Sequence, residues 1–428
     1  MAATPSLPSS SAPVARPRAT LFQAGARLLL LRALRRLRAG EIELCEGGEL
    51  HRFGPRPAAG VLRCRVEVRD PAFYGRLVRG GTLGAAESWM RGEWSASDLT
   101  ALLRMMARDA DVLAGFDAGL AAGVDPARRL GHWLRGNTRR GARRNIAAHY
   151  DLGNEFFALF LDPTLTYSCG VFERADATME EASLAKYDRL CRKLELRAED
   201  HVLEIGTGWG GFCLHAASRY GCRVTSTTIS AEQRALALER VARAGLADRV
   251  AILGRDYRDL DGRYDKLVSI EMIEAVGAEH LPAYFRACGE RLAPHGRAAL
   301  QAIVVPDQRY RRTLRTVDFV KRYVFPGGFL PSVGALVGAA SRASDLRLVH
   351  LEELTPHYAE TLRRWRARFA ANRDRIRALG YAERLLRMWE YYLRYCEAGF
   401  EERTIALVQL VFERPGCRAR PVGEALAR

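Results

Sequence analysis

The chain has little lysine, no closely spaced cysteine pair and no long apolar run. Lysine supplies only 4 of its 66 basic side chains, and arginine supplies the other 62. Its nine cysteines form no CxxC pair and are odd in number, which argues against a disulfide framework and favours a reducing cytoplasm. The run LLLL is far shorter than the roughly 18 apolar residues that span a bilayer, so no transmembrane helix is predicted. The basic stretch LRALRRLR that overlaps it argues against a signal peptide.

The charge of the chain is strongly basic, at +16 overall. Residues 1–150 hold 24 Arg, no Lys and 13 acids, so this part alone contributes +11. Such a basic region favours a polyanionic partner, either nucleic acid or the anionic face of a membrane. A biased genome composition would explain the preference for arginine over lysine. It would not explain the excess of basic over acidic residues.

The first 40 residues divide into a predicted disordered leader and a predicted amphipathic helix. Residues 1–20 are rich in Pro, Ser and Ala, a composition typical of disorder. Over residues 21–39, leucines occupy one side of a helical pattern and arginines occupy the other. The leucines are Leu28, Leu31, Leu34 and Leu37. This helix fits two readings, in which it lies on a membrane surface or packs on its own domain.

The rest of the chain divides into two domains joined by a basic linker. Apolar and polar residues alternate over 41–70 and predict short strands, so we expect a small α/β domain over residues 21–130. Residues 131–148 contain the basic run GNTRRGARRN and are predicted to be the linker. Residues 149–415 are assigned to the second domain.

Strand–helix alternation dominates this second domain. Its predicted strands are DHVLEIG, CRVTSTTIS, RVAILGRD, DKLVSIEM and RAALQAIVV. The alternation predicts a parallel sheet that is covered on both faces by helices. After residue 306 the pattern turns helical, with two or three helices over 358–400, and residues 416–428 form a tail.

The glycine-rich segment VLEIGTGWGGF (202–212) ends the first of these strands. Gly206, Gly208 and Gly211 let the backbone approach a ligand closely at the carboxyl edge of the sheet. The segment can be fitted to the dinucleotide pattern GxGxxG, or to a tight turn without a ligand. The acid Glu204, two residues before the first glycine, instead resembles motif I of S-adenosylmethionine-dependent methyltransferases. In those enzymes the glycines make room for the methionine part of the cofactor.

Three later segments end neighbouring strands of the same predicted sheet. TISAEQ (228–233) follows the second strand, GRDYRDL (254–260) the third, and SIEMIEAVG (269–277) the fourth. Ligands of open α/β sheets gather at these carboxyl ends. Glu271 and Glu274 of the last segment are carboxylates in an apolar run, which is costly unless they are paired, protonated or used.

Eight motifs in a fixed order resemble cyclopropane-fatty-acyl-phospholipid synthases. The resemblance runs from about residue 40 to residue 415 and so covers both predicted domains. The motifs are GTLGAAESWMRGEW, HYDLGNEFF, LTYSCGVF, VLEIGTGWGG, TISAEQ, DYRDL, YVFPGGFLPS and YYLRYCEAGF. Enzymes of this family transfer a methyl group from S-adenosylmethionine to a cis double bond of a phospholipid acyl chain. A proton then leaves the added methyl group, and a cyclopropane ring closes.

The resemblance implies an α/β fold, with a Rossmann-like class I methyltransferase domain and a smaller amino-terminal α/β lipid-binding domain. It implies S-adenosylmethionine as the cofactor, a bound bicarbonate as the base, and a phospholipid with an unsaturated acyl chain as the substrate. The basic small domain would dock on an anionic membrane surface. The expected location is therefore the cytoplasm, at the inner face of the membrane, and a homodimer is compatible with the resemblance.

Carried over position by position, the resemblance assigns two groups of residues. The cofactor group is Tyr167, Ser168, Glu204, Gly206, Gly208, Gly210, Gly211, Thr228, Ser230, Gln233, Asp256 and Tyr257. The bicarbonate group is Cys169, Glu274, Gln301, Ile303 and Tyr358. Cys396 matches a cysteine once proposed as a nucleophile, but a thiolate has no obvious role in methylating an alkene, which favours a structural role. Glu271 is interpreted as a support for Glu274.

Two positions depart from the best-known bacterial members of the family. Ala275 follows Glu274 where those members have histidine, and Gln301 replaces a second histidine that contacts bicarbonate. Glutamine can donate a hydrogen bond to an anion but cannot carry a proton. If deprotonation of the added methyl is impaired, the cation can lose another proton and give a methylene- or methyl-branched chain.

Two alternatives come from other classes, a nucleic-acid-binding methyltransferase and a non-catalytic lipid-binding protein. No aromatic–basic recognition motif of the RRM type is present, which disfavours nucleic acid as a partner. The intact glycine loop, the YSC segment (167–169) and Glu274 favour an enzyme. No two histidines have metal-ligand spacing, so no metal is predicted.

Overall fold

The computed structural model describes residues 19–55, 60–118 and 152–426. All but the last two residues of the predicted leader (1–20) lie outside the described residues, and so does the whole of the predicted linker (131–148). The described residues form two β-sheets, each with its own set of helices.

The amino-terminal unit is a four-stranded sheet with four helices. Its strands are β1 (Gly40–Glu46), β2 (Glu49–Phe53), β3 (Leu62–Val68) and β4 (Trp94–Ala96). Its helices are α1 (Leu21–Leu34), α2 (Ala72–Met90), α3 (Leu99–Arg108) and α4 (Ala110–Ala118). The strand order is β2–β1–β3–β4, with β1 parallel to β3 and antiparallel to β2. Alternate residues of β3 are buried, the pattern of a strand with one face against a core.

The second unit is built on a seven-stranded sheet. Its strands are β5 (His201–Ile205), β6 (Arg223–Thr227), β7 (Val250–Leu253), β8 (Tyr264–Ile270), β9 (Leu292–Val304), β10 (Arg347–Glu353) and β11 (Ala406–Glu413). The order is β10–β11–β9–β8–β5–β6–β7, in which β5 to β9 are mutually parallel and β11 is antiparallel to both neighbours. The chain order reverses at β5, between β6 and β8, which opens a crevice at the carboxyl ends of these strands. This is the predicted Rossmann-like arrangement.

Helices follow most strands of the large sheet. They are α5 (Gly153–Ala158), α6 (Met179–Leu194), α7 (Gly211–Tyr220), α8 (Ala231–Arg243), α9 (Leu281–Arg291), α10 (Asp307–Arg315), α11 (Val333–Ala343), α12 (Thr355–Ala371), α13 (Arg373–Ala378), α14 (Glu383–Glu401) and α15 (Val422–Leu426). Helix α6 begins at a capping box, in which Thr178 and Glu181 exchange side-chain and backbone hydrogen bonds. Within the described ranges, no helix is both long and apolar enough to cross a membrane.

The prediction that the chain is helical after residue 306 is wrong for two segments. Strands β10 and β11 extend the sheet beyond β9 by antiparallel pairing. Strand β11 reads ALVQLVFE and is buried at its six central positions, so it lacks the alternation that marks a half-buried strand. A short continuous apolar run cannot be told from a buried helical segment by periodicity alone.

Helix α1 packs on its own unit, and its buried face differs from the predicted one. Leu30, Leu34 and the following Leu37 are buried, whereas Leu28 is 64% exposed. Leu29 is also exposed, at 55%. The helix therefore covers its own core with one side and presents leucines to solvent with the other.

The two units meet along α14. Nε1 of Trp89 donates to the carbonyl of Arg387 at 3.0 Å, and Nε of Arg387 donates back to the carbonyl of Trp89 at 2.6 Å. Arg104 and Arg108 of α3 both donate to the carboxylate of Glu402. These pairings hold the small unit against the helices that close the large sheet.

Candidate active site

The glycine loop after β5 has the shape of a ligand cradle. Gly206, Gly208 and Gly210 have positive φ angles of 107°, 52° and 88°, which favour glycine over residues with a Cβ. A Cβ on Gly211 would lie 2.3 Å from the hydroxyl oxygen of Tyr187, so glycine is required there by close packing. A Cβ on Gly208 would meet nothing within 4 Å, because that glycine faces a cavity.

Glu204, at the end of β5, is buried and hydrogen-bonded within the sheet. Its Oε2 accepts from the hydroxyl of Ser226 at 2.5 Å, and that hydroxyl lies 2.6 Å from the hydroxyl of Thr207. Burial raises the pKa of Glu204 to about 8. Burial thus favours the protonated form of this carboxyl.

The predicted adenosine side is organised by short-range hydrogen bonds. Ser230 caps α8 by accepting from the backbone N–H of Gln233, and its own N–H donates to the hydroxyl of Thr228. The carboxylate of Asp256 is held by the guanidinium of Arg258, which donates to both of its oxygens at 2.8 and 2.7 Å. Tyr257 follows Asp256 and packs edge-on against another tyrosine of the core.

Of the two acids in the SIEMIEAVG segment, Glu271 accepts the larger number of hydrogen bonds. Its Oε1 accepts from the backbone N–H of Cys169 at 2.9 Å and from Nε2 of Gln301 at 2.7 Å. Its Oε2 accepts from the hydroxyl of Tyr358 at 2.5 Å. Burial raises the pKa of Glu271, whereas these three hydrogen bonds and the charge of Lys186 act in the opposite direction.

Glu274 has a different environment three residues later. Its Oε1 accepts from the backbone N–H of Ile303 at 2.6 Å, and its Oε2 has no hydrogen-bond partner among the described residues. Burial, followed by the charge of Glu271, raises the pKa of Glu274 to about 8. The three donors therefore favour the charged form of Glu271, whereas burial and the charge of Glu271 disfavour the charged form of Glu274. The predicted roles, in which Glu271 supports Glu274, stay a prediction.

Lys186 is a site residue that the sequence reasoning missed. It is fully buried on α6, and its Nζ donates to the hydroxyl of Ser168 at 2.8 Å. Burial lowers the pKa of Lys186 to about 8. The neighbouring Tyr167 donates its hydroxyl hydrogen to the hydroxyl of Tyr392 at 3.1 Å. The scarcity of lysine was a usable signal, because three of the four lysines are buried and Lys266 is partly buried.

Three more residues, which were not among the predicted site residues, extend the site away from the cavity. Nε2 of Gln409 donates to Oε1 of Gln301 at 2.8 Å, and Nζ of Lys193 donates to Oε1 of Gln409 at 2.7 Å. Lys193 also donates to Oε2 of Glu352 at 2.6 Å. The side chain of Gln301 is thereby held from both ends.

A cavity of about 800 Å³ connects these groups, within the roughly 300–1,000 Å³ of small-molecule sites. Most of the predicted cofactor and bicarbonate residues line this cavity. The exceptions, which do not line it, are Cys169, Gly210, Ser230 and Gln301. Aromatic side chains form much of its middle. They are Tyr167, Phe325, Tyr358, Tyr391, Tyr392, Tyr395 and Phe400.

The same cavity continues into the amino-terminal unit, where its walls are apolar. Lining residues there come from α1, the four-stranded sheet and α3. They include Leu30, Leu34, Ile42, Val66, Leu103 and Met106. A polar floor at the large sheet and an apolar extension in the small unit thus belong to one space.

The two cysteines of the predicted site are poor nucleophiles. Burial raises the pKa values of both Cys169 and Cys396, so both thiols stay protonated at neutral pH. Cys396 lines the cavity, whereas Cys169 contributes its backbone N–H.

Solved structures of lipid-modifying enzymes share this fold. A cyclopropane synthase of Mycobacterium tuberculosis matches with a TM-score of 0.60 and 29% identity, covering 63% of this chain and 98% of that one. A mycolic acid cyclopropane synthase complexed with SAH and CTAB matches with a TM-score of 0.60 and 32% identity over the same shares. Together with the glycine cradle at the switch point of the sheet, these matches define an S-adenosylmethionine-dependent methyltransferase.

Sequence comparisons give the family. The profile described as "Mycolic acid cyclopropane synthetase" matches residues 137–410. A tuberculostearic acid methyltransferase of Mycobacterium tuberculosis is 43% identical over 81% of this chain and 82% of its own length. The cyclopropane-fatty-acyl-phospholipid synthase of Escherichia coli is 36% identical over 82% of this chain and 87% of its own length. The chain belongs to this family of S-adenosylmethionine-dependent lipid methyltransferases.

Proposed function

We propose that the enzyme transfers the methyl group of S-adenosylmethionine to a cis double bond in the acyl chain of a phospholipid. Proton loss from the added methyl and closure of a cyclopropane ring then complete the reaction. The observation that carries this proposal is the single cavity that joins the glycine cradle, the paired acids Glu271 and Glu274, and the apolar extension into the small unit. A space of this composition can hold a polar cofactor and a long acyl chain together.

The cofactor fits the residues present. S-Adenosylmethionine supplies an electrophilic methyl group when it is bound. Gly206 and Gly208 leave room for it beside the sheet, and Gln233 and Tyr257 line the same part of the cavity. We assign to Lys186, beside Ser168, the binding of the cofactor carboxylate, because a buried ammonium gains most from an anionic partner.

The middle of the cavity suits the chemistry of an alkene. An alkene is a poor nucleophile, so it must be held in line with the methyl group that it attacks. Attack leaves a carbocation on the acyl chain, which is stabilised by aromatic faces and survives only where water is excluded. Tyr167, Phe325 and Phe400 are among the rings that line this part. Stacking of Tyr358 on Phe400, with centroids 4.2 Å apart, holds two of these faces rigid.

A branched product is a second candidate, and specific residues favour it. Ala275 and Gln301 stand where the best-known bacterial members have histidine. A 1,2-hydride shift that moves the positive charge to the methyl-bearing carbon, followed by loss of a proton from the added methyl, would give a methylene branch. The 43% identity to a tuberculostearic acid methyltransferase supports this outcome. A saturated methyl branch would need a hydride donor in addition, supplied by a separate reductive reaction.

Bicarbonate, the predicted base, does not fit the site. The donors assigned to it are Cys169, Gln301, Ile303 and Tyr358, and all of them already donate to the carboxylates of Glu271 or Glu274. A bicarbonate there would be a second anion against Glu271, without donors of its own. We therefore assign no bicarbonate to this enzyme.

The outer side of α1 is proposed as the membrane-docking surface, at the cytoplasmic face of an anionic bilayer. Leu28 and Leu29 are exposed, and Arg32, Arg35 and Arg36 follow on solvent-facing positions. This combination suits an interfacial helix, in which leucines enter the acyl boundary and arginines meet anionic headgroups. The inner side of the same helix lines the cavity, so an acyl chain has a short path from the bilayer to the site.

The decisive experiment is an in vitro reaction with defined vesicles. Purified enzyme is incubated with S-adenosylmethionine and vesicles of a cis-monounsaturated phospholipid, and the acyl chains are analysed by mass spectrometry. We expect a gain of one CH₂ per modified chain, and none with saturated vesicles. A ring survives mild hydrogenation, whereas a methylene branch takes up hydrogen. No gain on cis-unsaturated vesicles would refute the proposed function.

A further inference from the structure

We infer that the carboxylate of Glu271 is the proton acceptor of this reaction, in the place that family resemblance assigns to bicarbonate. The inference rests on the proposed function. Cys169, Gln301 and Tyr358 surround this carboxylate with three donors at 2.5–2.9 Å. Glu271 also lines the cavity, so its carboxylate is attached to the protein and faces the acyl chain at the same time.

The backbone at Glu271 supports a special role for this side chain. Its φ angle is +48°, a left-handed conformation that residues with a Cβ rarely adopt. Glu271 lies immediately after β8, at a turn whose backbone conformation a glycine would adopt without strain. The three donors fix the position of the carboxylate, and this stabilises the strained backbone conformation of Glu271.

The electron balance of the step needs no further reagent. The π electron pair of the alkene forms the new carbon–carbon bond to the methyl group. The cofactor would keep the electron pair of the broken carbon–sulfur bond, and the positive charge is left on the acyl chain. A C–H bond of the added methyl group then breaks. Its electron pair closes the ring, and the proton goes to a carboxylate oxygen of Glu271. If a 1,2-hydride shift first moves the positive charge to the methyl-bearing carbon, the electron pair of the same methyl C–H bond forms the methylene double bond instead. The acid so formed returns its proton to solvent between turnovers.

A line of buried polar side chains fixes the direction of one donor to Glu271 and so favours the charged form of this carboxylate. Lys193 has only donors, so Gln409 must turn its carbonyl toward the ammonium and its NH₂ group toward Gln301. Gln301 in turn must direct its NH₂ group to Glu271. Gln301 and Gln409 are 1% and 0% exposed, so water does not compete for these bonds. A cation at one end thus fixes the direction of every donor up to the carboxylate.

Two variants of Glu271 test the inference. Glu271→Gly removes the carboxylate, suits the positive φ angle, and leaves an anion-sized space with three free donors. We expect its methyl-addition product to fall by about 100-fold or more, the range of a lost general base. Added bicarbonate, formate or acetate should restore part of the activity. Glu271→Gln fills the same space with a group that cannot accept a proton, so it should be inactive and should not respond to these anions.

A binding measurement separates this inference from the proposed function. Bicarbonate should raise the melting temperature of Glu271→Gly in the absence of any lipid, and should leave that of the wild type unchanged. The wild type should also keep full activity in carbonate-free buffer. Activity of Glu271→Gly within a few-fold of wild type in carbonate-free buffer would overturn the inference, and so would dependence of the wild type on bicarbonate. If no lipid is methylated by the wild type, the proposed function fails, and the thermal shift alone decides whether the Glu271 position is an anion site.

Discussion

Gln409 lies directly opposite Gln301 in the antiparallel pairing of β11 with β9, and its amide donates to the carbonyl of Gln301 at 2.8 Å. Gln409 also accepts a hydrogen bond from Lys193. The pairing of the two strands therefore connects Lys193 to the reaction site through hydrogen bonds. Lys193 therefore acts on Glu271 through two amides, and is a positioning residue.

Replacing Lys193 by methionine should expose this coupling. In Lys193→Met the amides of Gln409 and Gln301 lose their fixed direction, and the donor to Glu271 weakens. Loss of a hydrogen bond to the charged form raises the pKa of a carboxyl. We expect kcat to fall about tenfold, the effect of one hydrogen bond to a charged group, and the acidic limb of the pH–rate profile to move to higher pH. The KM for S-adenosylmethionine should stay within about twofold, since this group does not contact the cofactor site.

Arg189→Met is the matched control for this measurement. Arg189 donates to the same Glu352 as Lys193 but does not reach Gln409. It should therefore leave the acidic limb where it is in the wild type. An equal shift in both variants would show that the effect comes from Glu352, and would contradict the positioning role.

Glu274 should make the stability of the enzyme depend on pH. Its pKa is raised from 4.5 to about 8, so the native state holds a proton between these values that the unfolded state has released. The free energy of unfolding must then fall as the pH rises through this window, by up to about 1.4 kcal/mol per pH unit for one proton. Glu274→Gln removes this contribution. Urea unfolding at pH 5, 6.5 and 8 should show the variant gaining on the wild type as the pH rises.

The same variant separates the two acids in catalysis. Glutamine resembles a protonated glutamic acid, so Glu274→Gln should keep methyl transfer at neutral pH within about tenfold, whereas Glu271→Gln should not. A complete loss in Glu274→Gln, or an unchanged pH dependence of its stability, would mean that Glu274 is ionised in the native enzyme.

The central part of the fold could be predicted from local pattern. Strands β5, β6, β8 and β9 are each followed by a turn or loop and then an α-helix, whereas a single 3₁₀ turn joins β7 to β8. This alternation indicates a parallel sheet. Strand β11 could not be predicted in this way, because it lies between β9 and β10 and both of its faces are buried. Its neighbours are set by long-range pairing, with β9 roughly 100 residues and β10 roughly 60 residues away along the chain, which no local window contains.

The site divides in the same way. The glycine loop could be predicted because its residues are consecutive and their backbone angles decide its shape. The role of Glu271 could not, since its three donors come from a loop, from β9 and from α12. A sequence shows two acids at i and i+3, but only the fold shows which of them collects the donors.

The thiol of Cys396 should be dispensable. Burial raises its pKa, so the thiolate that a nucleophilic mechanism needs is scarce at neutral pH. Cys396→Ala should keep kcat within about threefold, because only cavity packing changes. Cys169→Ala should behave alike, since alanine retains the backbone N–H that donates to Glu271. A loss of about 100-fold in Cys396→Ala, with unchanged melting temperature, would restore the cysteine to the mechanism.

The exposed leucines of α1 should control access to membrane-bound substrate. We expect the double variant Leu28→Asp with Leu29→Asp to bind anionic vesicles at least tenfold more weakly, because burying one leucine is worth about 1.5–3 kcal/mol. Wild-type binding should also weaken with added salt, which screens Arg32, Arg35 and Arg36 from the headgroups. Cosedimentation with vesicles measures both effects.

A control for the α1 variant is Leu379→Asp, which changes another exposed leucine, at 40% exposure, in the other unit. It should bind vesicles like the wild type. The α1 variant should keep its melting temperature, since Leu30 and Leu34 still cover the core, and should still methylate lipid presented in detergent micelles. Its defect should thus be confined to vesicles. Equal activity of the α1 variant and the wild type on vesicles would refute docking through this helix. A defect of the same size in micelles would show that these leucines act in the reaction itself and not in binding to the membrane.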